Sequence, residues 1–188
     1  MKKSLEIFAI IILCFVIILS FVLLPLFLIK LTYKTTYLDI IENNLNSLEN
    51  KNENLNKSFI LSVIKAESQF DSNAKSNKDA FGLMQLTFLT AKEVAKKLEM
   101  EIVVEDLFNP EINIKLGINY FDYLFSKNSD KVLVLMSYNA GLNRVKSWVE
   151  NNEIKLENGF YVCPYSETTN YVKKVINFEK IYKKLVGI

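Results

Sequence analysis

Glu67 closes a short apolar stretch, Phe59-Ile60-Leu61-Ser62-Val63-Ile64-Lys65-Ala66-Glu67. It falls seven residues after Ile60, four after Val63 and three after Ile64, so at helical spacing it continues their stripe. A carboxyl held against apolar neighbours loses the hydration its charged form needs, and its pKa rises. Such a group keeps its proton near neutral pH and can donate it as a general acid. Periodicity alone does not require that role, because a Glu near a helix end is more often solvated. The chain contains no histidine. That removes Ser-His-Asp and Cys-His pairs and His-containing zinc sites. Chemistry must therefore run on carboxylates, amides, hydroxyls, lysine or backbone groups, and no metal or cofactor site is expected.

The elements that would position Glu67 read as helices. Residues 37–48 carry Ile40, Ile41, Leu45 and Leu48 at helical spacing, and the polar, Asn-rich residues 50–56 connect them to the Glu67 helix. Residues 87–98 place Ala91, Val94, Ala95 and Leu98 on one side. Asn109-Pro110 is a helix start, with a capping Asn and a Pro where no hydrogen bond is lost. The helix that follows is predicted to bury Ile112, Leu116, Tyr120, Tyr123 and Leu124. Asp130 precedes the apolar run 132–136, read as a buried helix rather than a strand. Another helix opens at Leu142 or Asn143 and runs through Trp148. Asn158-Gly159, between two short alternating runs, predicts a small hairpin over 154–162. A last helix is expected from about Glu167 to Leu185, burying Val172, Val175, Ile176 and Tyr182.

Residues 7–29 are almost wholly apolar, interrupted only by Cys14, Ser20 and Pro25. About 20 such residues span a bilayer core as a helix. The exit, Leu28-Ile29-Lys30-Leu31-Thr32-Tyr33, has no small-residue pair of the kind that ends a cleavable signal. We read an uncleaved single-pass anchor, with residues 1–6 a short cytoplasmic N-terminus, 30–36 a juxtamembrane linker and 37–188 the functional domain. Lys2 and Lys3 on one side and Lys30 and Lys34 on the other barely decide orientation. The short N-terminus favours N-in, with the domain outside the cytoplasmic membrane. Cys14 and Cys163 then sit in different phases and form no internal disulfide. Net charge is +2 and Arg144 is the only arginine, so nucleic acid is not an expected partner.

Beyond Glu67-Ser68-Gln69-Phe70 the chain has Asn73-Ala74, Ser76, Ala80-Phe81-Gly82-Leu83-Met84-Gln85-Leu86 and Thr90-Ala91. Later come Ser137-Tyr138-Asn139-Ala140-Gly141 and Ser166-Glu167-Thr168-Thr169-Asn170-Tyr171-Val172. This ordered set resembles the soluble-type (SLT) lytic transglycosylase domain, a mainly α, lysozyme-like fold that cleaves bacterial peptidoglycan. The resemblance covers most of the chain from about Tyr37 onward. It implies that Glu67 is the catalytic acid/base. Ser76, Gly82, Leu83, Met84 and Gln85 would line the cleft beneath the sugar, Tyr138 and Asn139 would face Glu67, and Glu167 would help position substrate. The bland readings are turn glycines, a core Met84 and a Glu167 that caps a helix dipole. Physically, Gln85 and Asn139 can donate and accept together, and the Tyr138 hydroxyl could bond Glu67 or stabilise charge at the anomeric centre. The family usually has proline at Phe88, glycine at Asp79, alanine at Ser137 and often proline at Leu142.

The implied reaction cleaves the MurNAc-β-1,4-GlcNAc bond of glycan strands and leaves 1,6-anhydro-MurNAc ends, with Glu67 as single acid and base. A goose-type hydrolytic muramidase, with Glu167 or Asp79 activating water, is one alternative. A weakly active wall-binding component of an envelope or secretion complex is another.

Overall fold

The computed structural model describes residues 2–49 and 51–187 and divides into two units, residues 1–35 and 36–188. The first unit is one helix, α1 (Lys2–Thr32), which runs unbroken through Pro25. The helix continues into residues 30–32, expected as linker. Ile10–Ile29 is long and apolar enough to cross a membrane, with mean hydropathy 3.2 and none of it buried.

The second unit is helical. α2 (Leu38–Asn46) and α3 (Lys57–Glu67) are joined by a connection with a turn at Glu53-Asn54, and Asn50 lies outside the described residues. α3 is buried almost all round, from Ser58 to Ile64 and again at Ala66, and not on one stripe only. A helix apolar on every face belongs at the centre of a core. Its polar members are satisfied locally: Ser62 Oγ donates to the Phe59 carbonyl at 2.6 Å, and Ser58 Oγ to the Asn56 cap at 2.8 Å. Phe59 meets Phe121 edge-to-face, ring centres 4.9 Å apart.

After α3 come two paired dipeptide strands, β1 (Ala80–Phe81) and β2 (Leu86–Thr87), then α4 (Phe88–Lys97) and a 3-10 turn, Val104–Phe108. Neither the strands nor the turn carries a periodic signal in the sequence. α5 (Pro110–Lys127) begins as expected, with Asn109 Oδ1 accepting from the Glu111 N–H at 2.9 Å. α6 (Lys131–Ala140) is capped by Asp130, α7 (Leu142–Glu150) starts after Gly141, and the hairpin β3 (Lys155–Glu157) and β4 (Phe160–Val162) turns at Asn158-Gly159. Both turn residues have positive φ, as a tight hairpin of this hand requires. α8 (Ser166–Val186) closes the fold and packs chiefly along α3.

The buried face of α5 differs from the one predicted. Leu116 and Leu124 are buried, but Ile112, Tyr120 and Tyr123 are only half-buried. Asn113, Ile114, Gly117, Ile118, Phe121 and Phe125 take the interior. Asn113 and Gly117 are not apolar because that side receives a loop, whose backbone bonds Asn113 and whose Met84 side chain sits on Gly117. Ile176 of α8 is likewise half-buried, while Val172, Val175 and Tyr182 are buried as expected.

Candidate active site

The loop between α3 and α4 turns sharply after Glu67. Gln69 and Phe70 both have positive φ, as do Asp79, Gly82 and Gln85. Asp79 stands where the resembling family has glycine, and its φ of 53° accounts for that preference. Gly82 is required by space as well as by φ. A Cβ there would run into the Leu107 carbonyl and the Asn113 side chain.

Asn113 holds this loop from α5. It donates to the Phe81 carbonyl at 3.0 Å and the Leu107 carbonyl at 2.8 Å, and accepts from the Met84 N–H at 2.8 Å. Met84 seats its thioether on Gly117, where a Cβ would collide with it. Ser68 Oγ donates to the Leu83 carbonyl at 2.8 Å, and the Tyr138 hydroxyl to the Met84 carbonyl at 2.6 Å. The backbone of Leu83 and Met84 therefore joins α3, α5 and α6 at one point.

Several expected roles change in this geometry. Leu83 and Met84 are fully buried, so their side chains are core and do not line a cleft. Ser76 Oγ accepts from the N–H groups of Lys78 and Ala80, which makes it a turn residue. Gln85 spends its amide hydrogens on the carbonyls of Ala74 and Gly82, leaving its oxygen to accept. Glu167 is exposed and paired with Lys78 at 2.8 Å. The Tyr138 hydrogen goes to Met84 and not to Glu67.

Glu67 ends α3, half-buried, with its carboxyl enclosed by α6 and α8 side chains. Burial pushes its pKa from 4.5 up to about 7, against the opposing pull of the Tyr171 hydroxyl and the Lys174 charge. Tyr138 and Tyr171 are both held well above the usual tyrosine range, first by burial and then by the Glu67 charge beside them. Tyr138 stacks on Phe121 at 4.2 Å and meets Tyr120 at 5.5 Å. Tyr171 is the site residue that periodicity missed, since it reads as one more apolar position of α8. Its buried hydroxyl faces the carboxyl without closing a hydrogen bond of ordinary geometry among the described residues. Asn139 Oδ1 accepts from the Thr168 hydroxyl at 2.7 Å, tying α6 to α8. Its amide hydrogens remain available to a ligand. The groove between the β3–β4 hairpin and α8, lined by Phe160, Lys173 and Lys180, shares no residue with this cluster.

A carboxyl whose pKa burial raises to about 7, at the end of a core helix and beside two buried tyrosines, is an arrangement able to give and take a proton near neutral pH. The Transglycosylase SLT domain family matches residues 44–160, and the chain belongs to it. A putative soluble lytic murein transglycosylase of Haemophilus influenzae is 35% identical over 139 residues, covering 72% of this chain and 23% of that protein. A membrane-bound lytic murein transglycosylase C of Sodalis glossinidius is 29% identical over 154 residues, covering 69% of this chain and 43% of the relative. The crystal structure of the 70 kDa soluble lytic transglycosylase of Escherichia coli superposes with TM-score 0.71 at 26% identity, over 82% of this chain and 25% of that one. The chain thus spans about a quarter of the length of the soluble relatives it matches.

Proposed function

We propose that this chain is a membrane-anchored peptidoglycan lytic transglycosylase that cleaves the MurNAc-β-1,4-GlcNAc bond, with Glu67 as its one general acid and base. The observation that carries this reading is the Glu67 carboxyl, protonated to about pH 7 by burial and set beneath Tyr138 and Tyr171. Protonated Glu67 donates to the glycosidic oxygen as the bond breaks, and the muramoyl acetamido oxygen stabilises the oxocarbenium-like carbon. The carboxylate then takes the proton of the same sugar's 6-hydroxyl as that oxygen closes on the anomeric carbon. Intramolecular attack gains from proximity, so no second carboxylate is needed.

Hydrolysis by the usual pair of carboxylates needs a second acid near the first. Among the described residues no carboxylate is one of the causes that shift the Glu67 pKa, while Glu167 is paired with Lys78 and Asp79 with Lys75, both in the open. The Asn139 amide and the Gln85 oxygen can receive sugar hydroxyls or acetamido groups. The membrane-bound relative and the apolar helix α1 support an anchor, with peptidoglycan as the partner the domain faces.

Glu67→Gln is the test. Loss of general acid–base catalysis is expected to lower peptidoglycan cleavage by about 10²–10⁴-fold, with the circular dichroism spectrum unchanged. A folded Gln variant of full activity would remove Glu67 from the mechanism.

A further inference from the structure

The last carbonyls of a helix have no partner within it. In α3 these belong to the turn that carries Glu67. The Ile64 carbonyl receives the Ser68 N–H at 3.0 Å. The Ala66 carbonyl, one residue before Glu67, accepts instead from Lys174 Nζ at 2.7 Å, across 108 positions of sequence. Lys174 lies one turn beyond Tyr171 on α8, so both side chains reach the same end of α3. It also lies outside the residues 44–160 that match the family.

We propose that Lys174 is a positioning residue for the general acid: its ammonium, anchored on the Ala66 carbonyl, fixes the turn that bears Glu67 against α8 and keeps a positive charge beside the carboxylate formed in mid-reaction. The inference rests on Glu67 being acid first and base afterwards. Such a group must be neutral to donate, then persist as a buried anion until the 6-hydroxyl proton arrives. Burial favours only the neutral half of that cycle. The titratable groups facing Glu67 are Tyr138 from α6 and Tyr171 and Lys174 from α8. Burial keeps the two tyrosines neutral, so Lys174 is the cation among them that steadies the anionic half. Its charge pulls the Glu67 pKa down against the larger effect of burial. The carbonyl bond explains why a long, solvent-reaching side chain stays in place. A lysine near a helix C-terminus is favoured there by the helix dipole as well.

The test is a direct titration of Glu67 in the full chain in detergent micelles, by carbon NMR with 13C-labelled glutamate. The Glu67→Gln spectrum identifies the resonance. Lys174→Met is expected to raise the titration midpoint by about half a unit to one unit, and Lys174→Arg to return it close to wild type. The alkaline limb of peptidoglycan cleavage should move up by the same amount in the Met variant, because Glu67 must be protonated to start. Lys174→Gln, uncharged but polar, gives the same upward shift if the Met variant does not fold. A midpoint unmoved by removal of the charge, with activity merely reduced at every pH, would make Lys174 a structural cap and overturn the proposal. An arginine variant that titrates with the methionine one would do the same. A wild-type chain that releases no fragments at any pH would defeat the functional reading instead, and the NMR midpoints separate that failure from this one.

Discussion

Between about pH 4.5 and 7 the folded chain holds a proton on Glu67 that the unfolded chain has already released. Stability falls with rising pH wherever the native state binds more protons than the unfolded one. Glu67 therefore costs nothing below 4.5 and becomes progressively destabilising as pH rises through its folded value. The full cost is up to about 3 kcal/mol, less to the extent that the carboxyl opens to solvent. Glu67→Gln does not titrate. It should match wild type at pH 4 and be about 1–3 kcal/mol more stable at pH 8. Trp148, the one tryptophan in the chain and only 5% exposed, reports unfolding by fluorescence. Equal stabilities at both pH values would contradict the raised carboxyl. At this scale the raised pKa of Glu67 agrees with its place on an apolar stripe, which is a local pattern and legible in the sequence. The sequence did not reveal Tyr171 or Lys174, which meet Glu67 only after α8 folds back along α3. Nor did it show that Met84 and Leu83 face inward, since a loop has no period from which a face can be read.

The elements were legible where short-range chemistry sets them. Asn109-Pro110, Asp130 and Asn158-Gly159 each act within a few residues, and each marks a boundary in the structure. Two departures from the family pattern make sense at this scale. Phe88 and Leu142 are the first residues of α4 and α7, positions where a proline loses no helical hydrogen bond. The loop-facing side of α5 was illegible, because Asn113 and Gly117 interrupt the apolar stripe that periodicity follows. β1 and β2 are too short to show alternation. Asn113→Leu keeps the branching and the number of heavy atoms but strands the Met84 N–H and the Phe81 and Leu107 carbonyls. Leaving such groups buried and unpaired is expected to destabilise the domain by about 2–4 kcal/mol. Cleavage activity should fall further than the folded population, because the same backbone holds Ser68 and Tyr138. A urea midpoint unchanged from wild type would refute that role for Asn113.

As a whole the chain carries an apolar helix long enough to cross a membrane and a helical SLT-family domain, and the proposed function sets a wall-cutting enzyme beside a membrane. With the N-terminus inside, protease added to intact spheroplasts should cut the exposed Asn152 region; protection of Asn152 would reverse the topology. The domain's class was legible from the ordered segments between Glu67 and Val172, whereas the product of the proposed reaction is set by which oxygen attacks the anomeric carbon. In the proposed reaction that oxygen is the substrate's own 6-hydroxyl, which leaves no residue pattern. The most direct measurement is therefore the mass of muropeptides released from purified peptidoglycan by the full chain, with Glu67→Gln as control. Fragments lighter by one water than hydrolysis products are expected, and they would establish the anhydro-forming reaction with Glu67 as its single acid and base. Fragments of full hydrolytic mass would contradict it and require a second group that activates water.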